Sequence, residues 1–168
     1  MPGAAAIQIT LADEAATTRL AEAIAPHLRP GHLVGLVGGL GTGKSVFARG
    51  MIGARLRALG RAEEIPSPTF TLVQTYDVGG AELWHADLYR LSDMGELAEI
   101  GLQDAFAAAI CVVEWADRLG ASLPAGALTV TLEPDRLDPG VRHAALRPDG
   151  AAWGWLAGAI DAAARPAA

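Results

Sequence analysis

Cysteine occurs once in this 168-residue chain, and aromatic residues make up only 5% of it. A single cysteine, Cys111, rules out an intramolecular disulfide and any cysteine-rich metal site. Its setting in "AAICVVEW" fits a small buried side chain better than a nucleophile. No stretch of about 18 or more apolar residues runs uninterrupted, which argues against a membrane-spanning helix. The start, "MPGAAAIQITLADE", has no basic segment and soon meets acidic residues, unlike an export signal, so a soluble cytoplasmic protein is the expectation. An excess of basic charge is missing too. A formal net charge of −6 argues against a broad basic face for nucleic acid, so any RNA connection must be local or carried by another subunit. Repeats and low-complexity linkers are absent, and one domain over residues 1–168 is the simplest organisation.

Lysine is the scarcest charged residue: of thirteen basic side chains only Lys44 is a lysine, and it stands in "GLVGGLGTGKS". Arginine's wide fork cannot mimic a compact ammonium folded over a phosphate, so the one lysine falls where arginine could not replace it. Gly38, Gly39, Leu40, Gly41, Thr42, Gly43, Lys44 and Ser45 match G-x-x-x-x-G-K-[ST] in full. "LVGLVG" before them reads as a buried strand and "KSVFARGMIGARLRAL" after them as a helix, the context this motif requires. Backbone N–H groups from Gly39 to Ser45 would converge on phosphates, helped by the positive end of the helix. Lys44 would reach the β and γ phosphates, and Ser45 would ligate Mg²⁺.

Elsewhere, "IQITLA" alternates like a strand, and Asp13 precedes a helix with Leu20, Ile24 and Leu28 at helical spacing, ended by "RPGH". Two strand-like runs flank "VGG" as a hairpin, "SDMGELAEIGLQDAF" supplies one or two short helices, and "AICVVEW" is a buried strand. "ALTVTLE" and "VRHAALRP" form a second strand pair, and "DGAAWGWLAGAIDAAA" a terminal helix with Trp153 and Trp155 as packing residues. The expected fold class is α/β, a P-loop NTPase-like three-layer sandwich with a mixed parallel and antiparallel central sheet. Arg55, Arg57 and Arg61 are expected on a solvated helix face.

A P-loop ATPase needs a carboxylate across the magnesium, and "ICVVEW" would deliver Glu114 at the end of a buried strand. Asp87 in "WHADLYRL" is a second strand-end acid that could orient the attacking water or hold a metal-bound water. On spacing alone it fits a helix cap or an ion pair with Arg90 as well. "SPTFT" places Thr69 either in a switch that senses the γ-phosphate or in a plain turn. No guanine-reading Asn-Lys-x-Asp motif occurs, which favours ATP.

"GGLGTGKS", "SPTFTLVQTY", "HADLYRL", "EIGLQDAF" and "VVEWADRL" together resemble, in order and spacing, the signatures of the TsaE family of bacterial threonylcarbamoyladenosine synthesis, over roughly residues 10–147. The resemblance implies an ATPase that binds ATP with Mg²⁺ and hydrolyses it feebly alone. It implies work with TsaD and TsaB, which transfer a threonylcarbamoyl group to tRNA, and hydrolysis that resets or licenses that complex; tRNA is reached only through the complex. Carried onto this chain, it makes Glu114 and Ser45 magnesium ligands and puts Trp115 near the nucleotide. It also makes Asp87 necessary for hydrolysis, sets Thr69 in the switch-like loop, and brings Thr17 close to the adenine end. Gly39 departs from the family, which commonly has aspartate there. The rival reading is a small-molecule P-loop kinase, but no arginine-dense lid insertion is visible in the sequence.

Overall fold

The apolar runs become seven strands of one sheet. The computed structural model describes residues 4–165. In chain order it has β1 (Ile7–Leu11), α1 (Glu14–Ile24), β2 (Leu33–Val37), α2 (Lys44–Arg57), β3 (Val73–Asp77), β4 (Glu82–Asp87), α3 (Gly95–Glu99), α4 (Leu102–Ala108), β5 (Ile110–Glu114), β6 (Leu128–Pro134), β7 (Arg142–Pro148) and α5 (Leu156–Ala164). The strand order is β1-β7-β6-β2-β5-β4-β3. Four central strands, β6, β2, β5 and β4, run parallel, while β1 with β7, β7 with β6, and β3 with β4 pair antiparallel. The mixed sheet expected from the sequence is therefore present, with its parallel part at the centre, where both faces are covered.

Alternation of side chains divides the core between the two faces. Ile110 and Val112 of β5 pack with Val34 and Leu36 of β2 against Phe47, Met51 and Ile52 of α2. Cys111 and Val113 point the other way, among Leu102, Phe106 and Leu119. Period-two alternation then sends Glu114, at the end of β5, to the α2 face. The same rule puts His85 and Asp87 of β4 on that face, because Leu83 packs there and Ala86 does not. Burial, with a smaller contribution from Glu82, pushes the Cys111 thiol up to about 12. This residue packs and is not a nucleophile.

Local sequence explains the element ends. Asp13 accepts a hydrogen bond from the Ala16 N–H at 2.7 Å, capping α1, a contact that stabilises a helix by about 1 kcal/mol. Pro26 falls in the 3₁₀ turn Ala25–His27 that closes this helix. The β3–β4 hairpin turns at "VGG", with Asp77 Oδ1 accepting from the Gly79 and Gly80 N–H groups. Trp153 is buried and donates from Nε1 to the Gly126 carbonyl, and Trp155 stacks on His27 with ring centres 4.6 Å apart. Both tryptophans pack, as their positions suggested.

One expectation is corrected. Arg55 does not lie on a solvated face: its guanidinium donates to the carbonyls of Ala25 and Leu28 and ties α2 to the end of α1. The Leu28 carbonyl lies just past the helix end, and the Ala25 carbonyl, which already accepts from the Leu28 N–H, takes Arg55 as a second donor. Arg57 is exposed and pairs with Glu22, and Arg61 lies beyond the end of α2. Among the described residues no helix is long and apolar enough to cross a membrane.

Candidate nucleotide site

Parallel strands deliver their C-terminal ends to one edge, where α/β folds place their ligands. Here β2 ends at Val37 and runs into the glycine-rich loop, and the parallel register sets Glu114 of β5 beside Leu36 of β2 and Asp87 of β4. A cleft of about 660 Å³ opens at this edge. Lys44, Ser45, Thr69, Asp87, Glu114 and Trp115 all line it, although they come from four separate segments of chain.

The loop itself is fixed by close backbone packing. At Gly38 a Cβ would sit 2.5 Å from the Leu132 carbonyl oxygen, so no side chain fits. Gly43 precedes α2 with φ +102°, in the left-handed region that favours glycine. Thr42 Oγ1 donates to the Gly39 carbonyl at 3.0 Å, pinning the turn from inside. Gly38, Gly39 and Thr42 consequently shape the loop without lining the cleft, whereas Leu40, Gly41 and Gly43 do line it. At Gly39 a Cβ would meet nothing within 4 Å, so the aspartate common in the family has room here.

Charges meet across the cleft. Lys44 is only 5% exposed, and its ammonium donates to the carbonyls of Gly38 at 2.8 Å and Gly39 at 2.5 Å. It also lies 4.1 Å from the centre of the Trp115 ring, a cation–π contact. Burial draws its pKa down, and the carboxylates of Glu114, Asp87 and Asp117 offset part of that shift. Glu114 is 1% exposed; Ser45 Oγ donates to its Oε1 at 2.6 Å, and His85 Nε2 lies 2.7 Å from its Oε2. Burial alone would raise the Glu114 pKa, but the hydrogen bonds from His85 and Ser45 and the nearby positive charge outweigh it and hold the carboxyl below its ordinary value. The group is therefore ionised and accepts hydrogen bonds only.

Asp87 proves to be neither a helix cap nor a partner of Arg90. Its Oδ2 accepts from Thr69 Oγ1 at 3.1 Å and Ser67 Oγ at 3.3 Å, and its Oδ1 from the Tyr89 N–H at 3.0 Å. Arg90 instead lies over the Phe70 ring, 4.6 Å from its centre. The "SPTFT" segment is thus latched to the strand-end acid, and its end is marked by Leu72 at φ 66°. Trp115, directly after Glu114, has φ 58°. These non-glycine residues in the left-handed region sit at the two chain segments that frame the acids, where such backbone strain tends to concentrate.

Ser45 and Glu114 offer hard oxygen atoms suited to Mg²⁺, which binds through one or two carboxylates together with phosphate oxygens. Among the described residues no cluster of three or more His, Cys, Asp and Glu could hold a metal by itself. A cation here would depend on phosphate oxygens for the rest of its shell.

Thr17 is buried in the first part of α1 and lines the cleft; its hydroxyl donates to the Asp13 carbonyl, as that of Thr18 does to the Glu14 carbonyl. Of the two neighbouring threonines, Thr17 is the one that lines the cleft. Sequence reasoning passed over two residues. His85 was legible from its even spacing with Leu83 and Asp87 along β4. Arg142 lines the cleft and donates to the Gly41 carbonyl at 3.1 Å, a contact 101 residues apart that no local pattern announces.

The model of the family described as threonylcarbamoyl adenosine biosynthesis protein TsaE matches residues 11–142. This chain belongs to the TsaE family. A tRNA threonylcarbamoyladenosine biosynthesis protein TsaE of Haemophilus influenzae is 37% identical over 64% of this chain and 66% of its own length. The Treponema pallidum protein of the same name is 37% identical over 69% of this chain and 83% of its own. The crystal structure of YdiB from Bacillus subtilis superposes with a TM-score of 0.75 at 25% identity, over 94% of this chain and 95% of that one. The TsaE match takes in every candidate residue from Thr17 to Trp115, and the alignment with YdiB extends the likeness to nearly the whole fold.

Proposed function

We propose that this chain is a single-domain ATPase of tRNA threonylcarbamoyladenosine modification, and that its hydrolysis of Mg-ATP resets or licenses a TsaD–TsaB threonylcarbamoyl transferase. Membership of the TsaE family supports the pathway. The observation that carries the chemistry is the contact of Ser45, in the first turn of the loop helix, with Glu114 at 2.6 Å, beside Asp87 in the strand register.

In this reading the backbone N–H groups of the loop and the start of α2 cradle the phosphates. Lys44 exchanges its carbonyl partners for β- and γ-phosphate oxygens, and Ser45 and Glu114 hold the cation. A magnesium ion held by these two residues would supply positive charge against the negative charge that develops on the phosphates. Asp87 orients the attacking water, and Thr69, which it holds by a hydrogen bond, senses the terminal phosphate. Thr17 stands toward the adenine end, and Trp115 borders the nucleotide beside Lys44. Exposed Leu40 and Phe70, from the loop and the "SPTFT" segment, offer apolar contacts for a partner that regulates access to the site. tRNA is met only through that complex, consistent with the net charge of −6.

The test is ATP hydrolysis by the purified chain, alone and then with TsaD, TsaB and tRNA from the same source. Slow turnover that rises on adding the partners is expected. Turnover indifferent to them would overturn the resetting role and direct attention to small-molecule phosphoryl acceptors.

A further inference from the structure

His85 is fully buried in β4 on the α2 face of the sheet, and nothing in the roles assigned above uses it. An apolar residue would fill this position at lower cost, because the Nδ1 atom of His85 is buried without a hydrogen-bond partner. Its other nitrogen, Nε2, lies 2.7 Å from Glu114 Oε2. An ionised carboxylate can only accept, so Nε2 carries the proton and donates it into this contact. The second carboxylate oxygen, Oε1, is the one that Ser45 reaches at 2.6 Å.

The two oxygens of Glu114 are therefore held from opposite sides by side chains of different elements. Register explains how: His85 stands opposite Val112 across the β4–β5 pair, two positions before the pair of Asp87 and Glu114. The imidazole is thus anchored in the sheet interior behind the carboxylate, while Ser45 approaches from the helix.

We propose that His85 is a positioning residue for magnesium, which fixes the rotation of the Glu114 carboxylate so that Oε1 and Ser45 Oγ present a ready-made pair of oxygen ligands. This rests on the reading of Glu114 as a magnesium ligand. Without the Nε2–H donor, the carboxylate is free to turn Oε2 toward Ser45 or the cation, and the ordering must be achieved at each binding event. Hydrogen-bond partners behind a metal ligand are worth about 10–100-fold in metal affinity.

The experiment measures binding rather than turnover. The non-hydrolysable analogue AMP-PNP is titrated calorimetrically into the full chain in MgCl₂ and in EDTA, for wild type, His85→Leu and His85→Gln. The ratio of the two affinities reports the magnesium contribution. In His85→Leu this ratio should fall about tenfold or more while the affinity in EDTA stays unchanged. In His85→Gln, whose amide nitrogen reaches near the Nε2 position, it should be largely kept. An unchanged ratio in His85→Leu would overturn the inference, since a purely packing histidine would alter the melting temperature only. If His85→Leu does not fold, His85→Asn replaces it: its shorter amide cannot reach Glu114, and equal ratios for Asn and Gln would be equally fatal. A wild-type chain whose affinity ignores magnesium would instead overturn the Glu114 reading, and this inference with it.

Discussion

The loop wall of the cleft belongs to one run of eight consecutive residues, Gly38 to Ser45, of which Leu40, Gly41, Gly43, Lys44 and Ser45 line it, whereas the facing wall is assembled from distant side chains. Glu114 and Asp87 come from strands β5 and β4, and Thr69 from the segment before β3; Ser45 and Glu114 stand 69 residues apart in the chain. The loop wall is a local object whose shape depends on glycines at Gly38 and Gly43. Its partner exists only because strand register and alternation aim separate acids at one point. A backbone cradle suits binding, because it needs no side chain to be ordered first. A side-chain wall suits chemistry, because each carboxylate can be given its own partners and hence its own task.

Separate substitutions should break that division of labour. The largest effect is expected from Asp87→Asn, which keeps the shape but removes the charge that would orient water. Phosphate release should fall by about 100-fold or more, with ATP affinity measured by calorimetry nearly unchanged. An equal loss of affinity would show that the facing wall also binds. Lys44→Ala removes the charged contact to phosphate from the loop wall and should weaken ATP about 10–100-fold. Unaltered affinity in that variant, followed by Trp fluorescence, would sink the phosphate-loop assignment. Glu114→Gln should cost about tenfold in affinity when Mg²⁺ is present and nothing in EDTA. It probes a point where the walls touch, the Ser45–Glu114 contact. The smallest effect belongs to Gly39→Asp. A Cβ there meets no atom within 4 Å, so the melting temperature should stay within the change of about 0.5 kcal/mol that marks ordinary surface substitutions. A marked loss of stability would mean that the loop's outer surface is more constrained than its geometry shows.

The same contrast governs how much could be read from the residues alone. Gly38 to Ser45 were legible because a cradle of backbone N–H groups needs contiguous chain and special backbone angles, and these impose glycines at fixed spacing. Most elements were legible too, through alternation in β1, β6 and β7 and helical spacing in α1. Glu114 could be placed because a strand-end acid after a buried run has few other uses. Asp87 stayed ambiguous between cap, ion pair and catalyst, since its partners Ser67 and Thr69 lie 20 and 18 residues away. Arg55 was misplaced because the carbonyls it binds, at Ala25 and Leu28, belong to another helix end. His85 stood in plain view in "HADLYRL", yet its value lies in an atom-to-atom contact with Glu114 across a strand pair.

By itself the sequence determined that this chain holds a phosphate-binding loop between a buried strand and a helix, on an α/β sheet, and that it resembles the TsaE family. The loop and the fold class follow from composition, period and spacing, which are local and one-dimensional, and the resemblance rests on five motifs standing in order along the chain. The tertiary structure alone decided that β5 lies between β2 and β4, and with it that Glu114 meets Ser45 on one side and His85 on the other, and that Thr69 is tied to Asp87. Strand order is set by how the faces of distant segments bury against α1, α2 and α4, a sum of many small packing energies that no short stretch of chain contains.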